Sequence, residues 1–141
     1  MIRVHGTSVA LGGEGVLLRG PSGCGKSDLA LRLIDQGACL VADDQTEISV
    51  DGAEIAMTAP ATIAGRLEVR GLGIVTVPSV DWAPLRLVVD LVASTAIERM
   101  PEPRHCDVLG HPVVLIDLAP FEASAVAKLR LALRSAMTSA S

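Results

Sequence analysis

The chain has 141 residues, half of them apolar and 20% charged, with a net charge of −4; this is one domain's length, enough to bury a core, and it excludes a disordered chain. The acidic balance excludes the clustered basic footprint of a nucleic-acid binder, and one Trp (Trp82), one Phe (Phe121) and no Tyr leave no aromatic platform for bases, so any adenine is expected to rest on aliphatic side chains and backbone. No apolar run approaches the roughly 20 residues of a membrane span, there is no secretory leader pattern, and Cys24, Cys39 and Cys106 show neither pairing nor metal spacing, so the expectation is a cytoplasmic protein without membrane contact.

Residues 2–10 alternate as a strand and meet Gly12-Gly13-Glu14-Gly15, a hairpin turn into the short apolar strand 15–19. A glycine-rich loop, Gly20 to Ser27, follows. From Ser27 to Gln36, Leu29, Ala30, Leu33 and Ile34 recur on one helical face, and Gly37 supplies a left-handed stop. Ala38 to Ala42 is a buried strand that ends in Asp43-Asp44. A right-handed crossover places it parallel and next to strand 15–19. Residues 46–50 and 53–57 read as a hairpin around Asp51-Gly52. Leu67 to Val77 reads as a strand broken by Gly71 and Gly73. Leu85 to Val92 is a strongly apolar strand carrying Asp90, residues 95–111 read as a polar mobile loop, and Val113 to Leu118 is a last strand carrying Asp117. A closing helix, 122–137, turns Val126, Leu129, Leu133 and Met137 inward, with Lys128, Arg130 and Arg134 toward its end, and the tail 138–141 frays. The sum is a single α/β domain over 1–141, with strand-rich mixed sheets and few helices.

The segment Gly20-Pro21-Ser22-Gly23-Cys24-Gly25-Lys26-Ser27 fits G-x-x-x-x-G-K-[ST], the P-loop pattern. Its glycines let successive N–H groups converge on one anion, Lys26 brings a mobile cation to the β- and γ-phosphates, and Ser27 offers a hydroxyl to magnesium. The helix that begins here adds its positive N-terminal end. Strand, loop, helix and stop come in the order this motif demands. Cys24 reads as a small filler within the loop.

Such a loop needs a carboxylate near the metal and a group to take the acceptor's proton. Asp43-Asp44, Asp90 and Asp117 stand at or near the ends of apolar strands. The pair is preferred, because ligands bind at the carboxyl ends of parallel strands. Adjacent strand residues point to different sides, so one carboxylate can serve the metal and the other a substrate hydroxyl.

His5-Gly6-Thr7, the loop Gly20–Ser27, Leu40-Val41-Ala42-Asp43-Asp44 and Leu67-Glu68-Val69-Arg70-Gly71-Leu72-Gly73-Ile74 together resemble the catalytic domain of HPr kinase/phosphorylase, in order and spacing, over residues 5 to about 77. The last of these stands close to that family's signature L-E-[IV]-R-G-L-G-I. The chain looks like a short form of the alphaproteobacterial type, with the fold shared by HPr kinases and PEP carboxykinases. The resemblance implies that Lys26 binds the β/γ-phosphates and that Ser27 and Glu68 hold magnesium. It implies that one of the Asp pair, Asp44 before Asp43, is the proton acceptor, with the other on the metal side. His5 becomes an auxiliary catalytic group, and Arg70 shapes the catalytic strand-loop. The family's arginine-bearing segment P-V-R-P-G-R-N has no counterpart at 108–117, which reads V-L-G-H-P-V-V-L-I-D. Arg99 and Arg104, in the polar loop, are the candidates for replacing its charge.

The expected function is therefore ATP- and magnesium-dependent phosphorylation of a serine on an HPr-like phosphocarrier of the phosphotransferase system, with phosphorylase activity and homo-oligomer formation as secondary expectations. The alternative is a catalytically reduced ATP-sensing module that signals to two-component regulators. A GTPase is disfavoured by the absence of N-K-x-D, and a nucleotide kinase by the absence of an arginine-rich lid.

Overall fold

A computed structural model describes residues 1–139. The strands are β1 (Ile2–His5), β2 (Thr7–Leu11) and β3 (Glu14–Arg19), then helix α1 (Lys26–Asp35). After these come β4 (Cys39–Ala42), β5 (Gln45–Asp51), β6 (Glu54–Thr58), β7 (Arg66–Val69), β8 (Gly73–Thr76), β9 (Trp82–Leu91), β10 (Arg104–Val108), β11 (His111–Leu118) and helix α2 (Ala125–Ser139).

The long strand β9 organises the chain. Trp82–Pro84 pair antiparallel with β6, which continues a sheet of β1, β5 and β6. Farther along, β9 pairs in parallel with β3 through Leu85–Asp90 and with β11 through Leu87–Leu91. The second sheet thus runs β10-β11-β9-β3-β2-β4. Side chains on β9 alternate between two cores. Leu87 and Val89 join Val16, Leu18, Leu29, Leu33, Leu129 and Leu133 beneath the helices. Leu85 and Val88 join Leu17, Val41, Ile48 and Met57 between the two sheets. A strand covered on both faces has no polar face to show, which is why 85–92 reads as an unbroken apolar run.

Helix α1 buries Leu29, Ala30, Leu33 and Ile34, the face read from the sequence. It stops where Ala38 N donates to Leu33 O at 3.1 Å and Gly37 N to Ile34 O at 3.0 Å, with Gly37 at φ 104°.

Four expectations need correction. β4 does run in the same direction as β3, but β2 lies between them, antiparallel to both. Part of the polar segment 95–111 is β10, an edge strand whose exposed alternation hides its pairing with β11. The closing helix starts at Ala125 rather than 122, after turns in which Glu122 N bonds Ala119 O and Ala125 N bonds Glu122 O. It continues through Thr138 and Ser139, where a frayed tail was expected, and residues 140 and 141 lie outside the described residues.

Two corners position the site. At Gly6 the chain passes from β1, in one sheet, to β2, in the other. Beside it, Asp43-Asp44 carry the chain from β4 back into β5. The corners are clasped by Gly6 N donating to Asp44 O at 2.8 Å. A Cβ on Gly6 would fall 2.9 Å from Leu18 O, so only glycine lets the crossing pass so close to β3. Asp44 takes φ 65°, a left-handed conformation that aspartate tolerates.

Candidate active site

The loop between β3 and α1 closes on itself. Cys24 N donates to Pro21 O at 3.1 Å. Gly25, at φ 106°, caps α1 in a conformation closed to side-chain-bearing residues. Lys26 is 6% exposed. Its Nζ donates to Gly20 O at 2.6 Å and Pro21 O at 3.0 Å, reaching back across the loop that it follows.

Next to the loop, Asp43 ties three segments together. Its Oδ1 accepts from Ser27 Oγ at 3.0 Å and from Thr7 Oγ1 at 3.0 Å, and its Oδ2 accepts from Glu68 N at 3.0 Å. The carboxylate is buried, and these donors satisfy it. Thr7 Oγ1 in turn accepts from Asp44 N at 3.2 Å. The Asp44 side chain leaves on the other side of the corner, where Oδ1 lies 2.8 Å from His5 Nε2. His5 and Asp44 are 43% and 64% exposed, so this pair stands open to solvent, while Asp43 meets the cleft from a buried position.

These groups line a cleft of about 650 Å³. One wall is the loop, with Ser22, Gly23, Gly25, Lys26 and Ser27. A second holds Thr7, Asp43, Asp44 and Glu68, continued by Arg70, Gly71 and Gly73 from the β7–β8 ribbon. Asp28, Leu31, Val69 and Phe121 complete it. The ribbon is anchored by Leu67 and Val69, which are buried in the core beneath α1. That alternation leaves Glu68 and Arg70 outside. Beyond Arg70 the tip exposes Leu72 and Ile74, at 75% and 70%. His5 does not line the cleft itself and reaches it through Asp44.

Among the described residues no group of three or more His, Cys, Asp or Glu side chains converges as a metal cage. The oxygen donors that line this part of the cleft are hard ones: Asp43, whose carboxylate accepts from the Ser27 hydroxyl, and the Glu68 carboxylate on the adjoining strand. Ser27 commits its proton to Asp43, which leaves its oxygen as the acceptor a cation binds. One or two carboxylates plus substrate phosphates is a magnesium-type donor set.

The other strand-end acids have different work. Arg19 grips Asp90 through two hydrogen bonds of 2.8 and 3.1 Å, and Arg104 pairs with Asp117 at 2.8 Å. The bond to Asp90 holds the Arg19 guanidinium above its ordinary pKa, and Asp117 does the same for Arg104. Neither acid lines the cleft. Arg104, expected as a spare charge in a loop, is committed to its strand neighbour. Burial pushes the nearby Cys106 thiol up, against an opposing pull from Arg19.

Two residues join the site with no sequence signal for their place in it. Thr7 entered only as part of a motif, yet its hydroxyl joins both aspartates. Phe121 is in the cleft because Arg32 Nη2 donates to Pro120 O and draws the 119–121 link against α1.

A family model described as HPr Serine kinase C-terminal domain matches residues 1–100. The match ends before the segment 108–117, where the sequence departs from the family pattern. A protein of Clostridium tetani named HPr kinase/phosphorylase is 48% identical over 77 residues, 55% of this chain and 25% of its own length. One of the same name from Bordetella pertussis is 40% identical over 129 residues, 78% of this chain and 40% of its own length. The chain thus spans well under half the length of these curated relatives. The solved structure titled Hpr(Ser) kinase/phosphatase from Coxiella burnetii superposes with a TM-score of 0.86 at 24% identity, over 99% of this chain and 98% of that one. It therefore shares the strand-rich mixed α/β fold, including β10, β11 and α2. By sequence and by architecture, the chain belongs to the HPr Serine kinase C-terminal domain family.

Proposed function

We propose that the chain is the catalytic unit of an ATP-dependent protein kinase that phosphorylates a serine on an HPr-like phosphocarrier. One observation carries this reading. Asp43 links Ser27 of the loop to the Glu68 strand, while Asp44, its neighbour, faces the open with His5. Phosphate, cation and proton-handling groups thus share one cleft. The names of the relatives support the same activity.

In this reading the loop amides and Lys26 hold the β- and γ-phosphates at the N-terminus of α1. Ser27, Glu68 and Asp43 would hold magnesium, which when bound neutralises phosphate charge. The acceptor serine's oxygen forms a bond to the γ-phosphorus as the bond to ADP breaks, and its proton passes to Asp44. His5, 2.8 Å from Asp44, orients that carboxylate. The same pair would return a proton in the reverse, dephosphorylating direction. Arg70 brings a cation to the wall opposite the loop. The exposed Leu72 and Ile74 beyond it suit a protein acceptor better than a small one. An ATP sensor with no transfer step leaves the His5–Asp44 pair without a task.

The test is transfer of labelled γ-phosphate to purified HPr. Lys26→Ala and Asp44→Asn should each lower it by at least 10²-fold, and Asp44→Asn should still bind ATP. Undiminished transfer by both variants would refute the assignment.

A further inference from the structure

The cleft has a polar end that the proposed reaction uses and an apolar end that it does not. The apolar end is built around Phe121, the chain's only phenylalanine, a residue 71% exposed. The ring stands against the last loop residue before α1: a Cβ on Gly25 would come within 2.9 Å of Phe121 Cζ and 3.2 Å of Pro120 Cγ. Leu31, on the Ser27 face of α1, also lines the cleft. The position is fixed from the helix. Arg32 bonds Asp28 Oδ2 at 3.1 Å and also donates to Pro120 O, so the link bearing the ring is tied to α1.

Direction around α1 separates the two ends. Ser27 faces Asp43, and Arg32 faces Pro120. Five residues at 100° each put these about 140° apart around the axis. A triphosphate seated on the loop with its terminal phosphate toward Ser27, Asp43 and Asp44 leads its other end away from the acids. The exposed apolar surface on that side of the helix is Phe121, against Gly25. A flat, uncharged, π-faced group is what such a surface takes up, and the part of a nucleotide that fits this description is its base.

We infer that Phe121 is the nucleobase platform of this site, stacking the base of the ATP whose phosphates the Gly20–Ser27 loop holds. The inference rests on the phosphate-loop reading above and goes beyond it by assigning the other half of the ligand.

The experiment compares Mg·ATP with magnesium tripolyphosphate, which has the phosphates and no base, by titration calorimetry on the wild type, Phe121→Ala, Phe121→Trp and Lys26→Ala. The ring is exposed, so its removal spares the core. Phe121→Ala should weaken ATP binding about tenfold and leave tripolyphosphate binding unchanged, and Phe121→Trp should restore ATP. Equal ATP affinity with and without the ring overturns the inference. So does an equal loss for both ligands, which would mean a distorted loop. A defect confined to the KM of the acceptor protein, with the Kd for ATP unmoved, overturns it as well and gives the ring to the acceptor. The Lys26→Ala arm is independent: if that variant binds both ligands as the wild type does, the phosphate-loop reading fails, whatever Phe121 does.

Discussion

Asp43 can be asked whether its charge or its shape holds the site together. The carboxylate is buried and accepts three hydrogen bonds, from Ser27 Oγ, Thr7 Oγ1 and the backbone N–H of Glu68. Asp43→Ala removes the acceptor and strands all three donors. Hydrogen bonds to a charged group are worth about 1.5–3 kcal/mol each, but the two hydroxyls can turn to other acceptors, whereas the amide cannot. A loss of about 3 kcal/mol follows, or roughly 10 °C in Tm for a domain of this size. Asp43→Asn is different. Its amide oxygen can take the Glu68 N–H while its NH₂ donates to the two hydroxyls, which accept as well as donate. All three contacts survive and only the charge goes, so the loss should stay within about 1 kcal/mol. Phosphate transfer should nonetheless fall at least 10²-fold in both variants, because an amide is a poor partner for a magnesium-bound triphosphate. Thermal unfolding by circular dichroism and a labelled-phosphate assay measure the two effects separately. If Asn melts as low as Ala, the swap of donors is wrong. If Asn transfers phosphate at the wild-type rate, Asp43 has no part in the reaction.

Gly25→Ala places a Cβ at φ 106° and within 2.9 Å of Phe121 Cζ; ATP binding should weaken more than tenfold, and adding Phe121→Ala should not recover it, because the dihedral cost of about 1–2 kcal/mol remains. Recovery in the double variant would show that only the clash mattered. Leu72→Asp, at the exposed ribbon tip, should reduce kcat/KM for HPr about tenfold with the Kd for ATP and the Tm unchanged; an unaltered kcat/KM removes the tip from acceptor docking. The Cys106 thiol, raised in the fold chiefly by burial, favours the folded state while it stays protonated. That contribution is whole below the unfolded thiol's pKa of about 8.5 and is lost as pH climbs through the higher folded value. Urea titrations at pH 7.5 and 9.5 should show Cys106→Ser losing less stability than the wild type over that interval, and parallel losses would count against it.

Local chemistry was legible and spatial order was not. The loop, its helix and the apolar run of β9 announce themselves, since motif, periodicity and two-sided burial each leave a mark on contiguous residues. The insertion of β2 between β3 and β4 leaves none, because neighbour order in a sheet is settled by long-range packing. β10 was hidden for a related reason: Arg104, His105 and Asp107 are exposed on an edge, so the strand has the composition of a loop. The acidic pair was found through its place at a strand end, but its division into a buried Asp43 and an open Asp44 comes from the sheet-crossing corner and the φ of 65°. Thr7 carries no signal of its own; a threonine on a buried strand reads as packing. The place of Phe121 in the cleft depends on Arg32, 89 positions earlier in the chain, which a count of aromatics does not reveal.

Lys26 has a consequence for the loop it follows. Its ammonium donates to the carbonyls of Gly20 and Pro21, so the side chain works as a strut that closes the turn from within. A nucleotide must compete with those two oxygens for the same proton donors, so part of its attraction to the lysine is spent on the exchange.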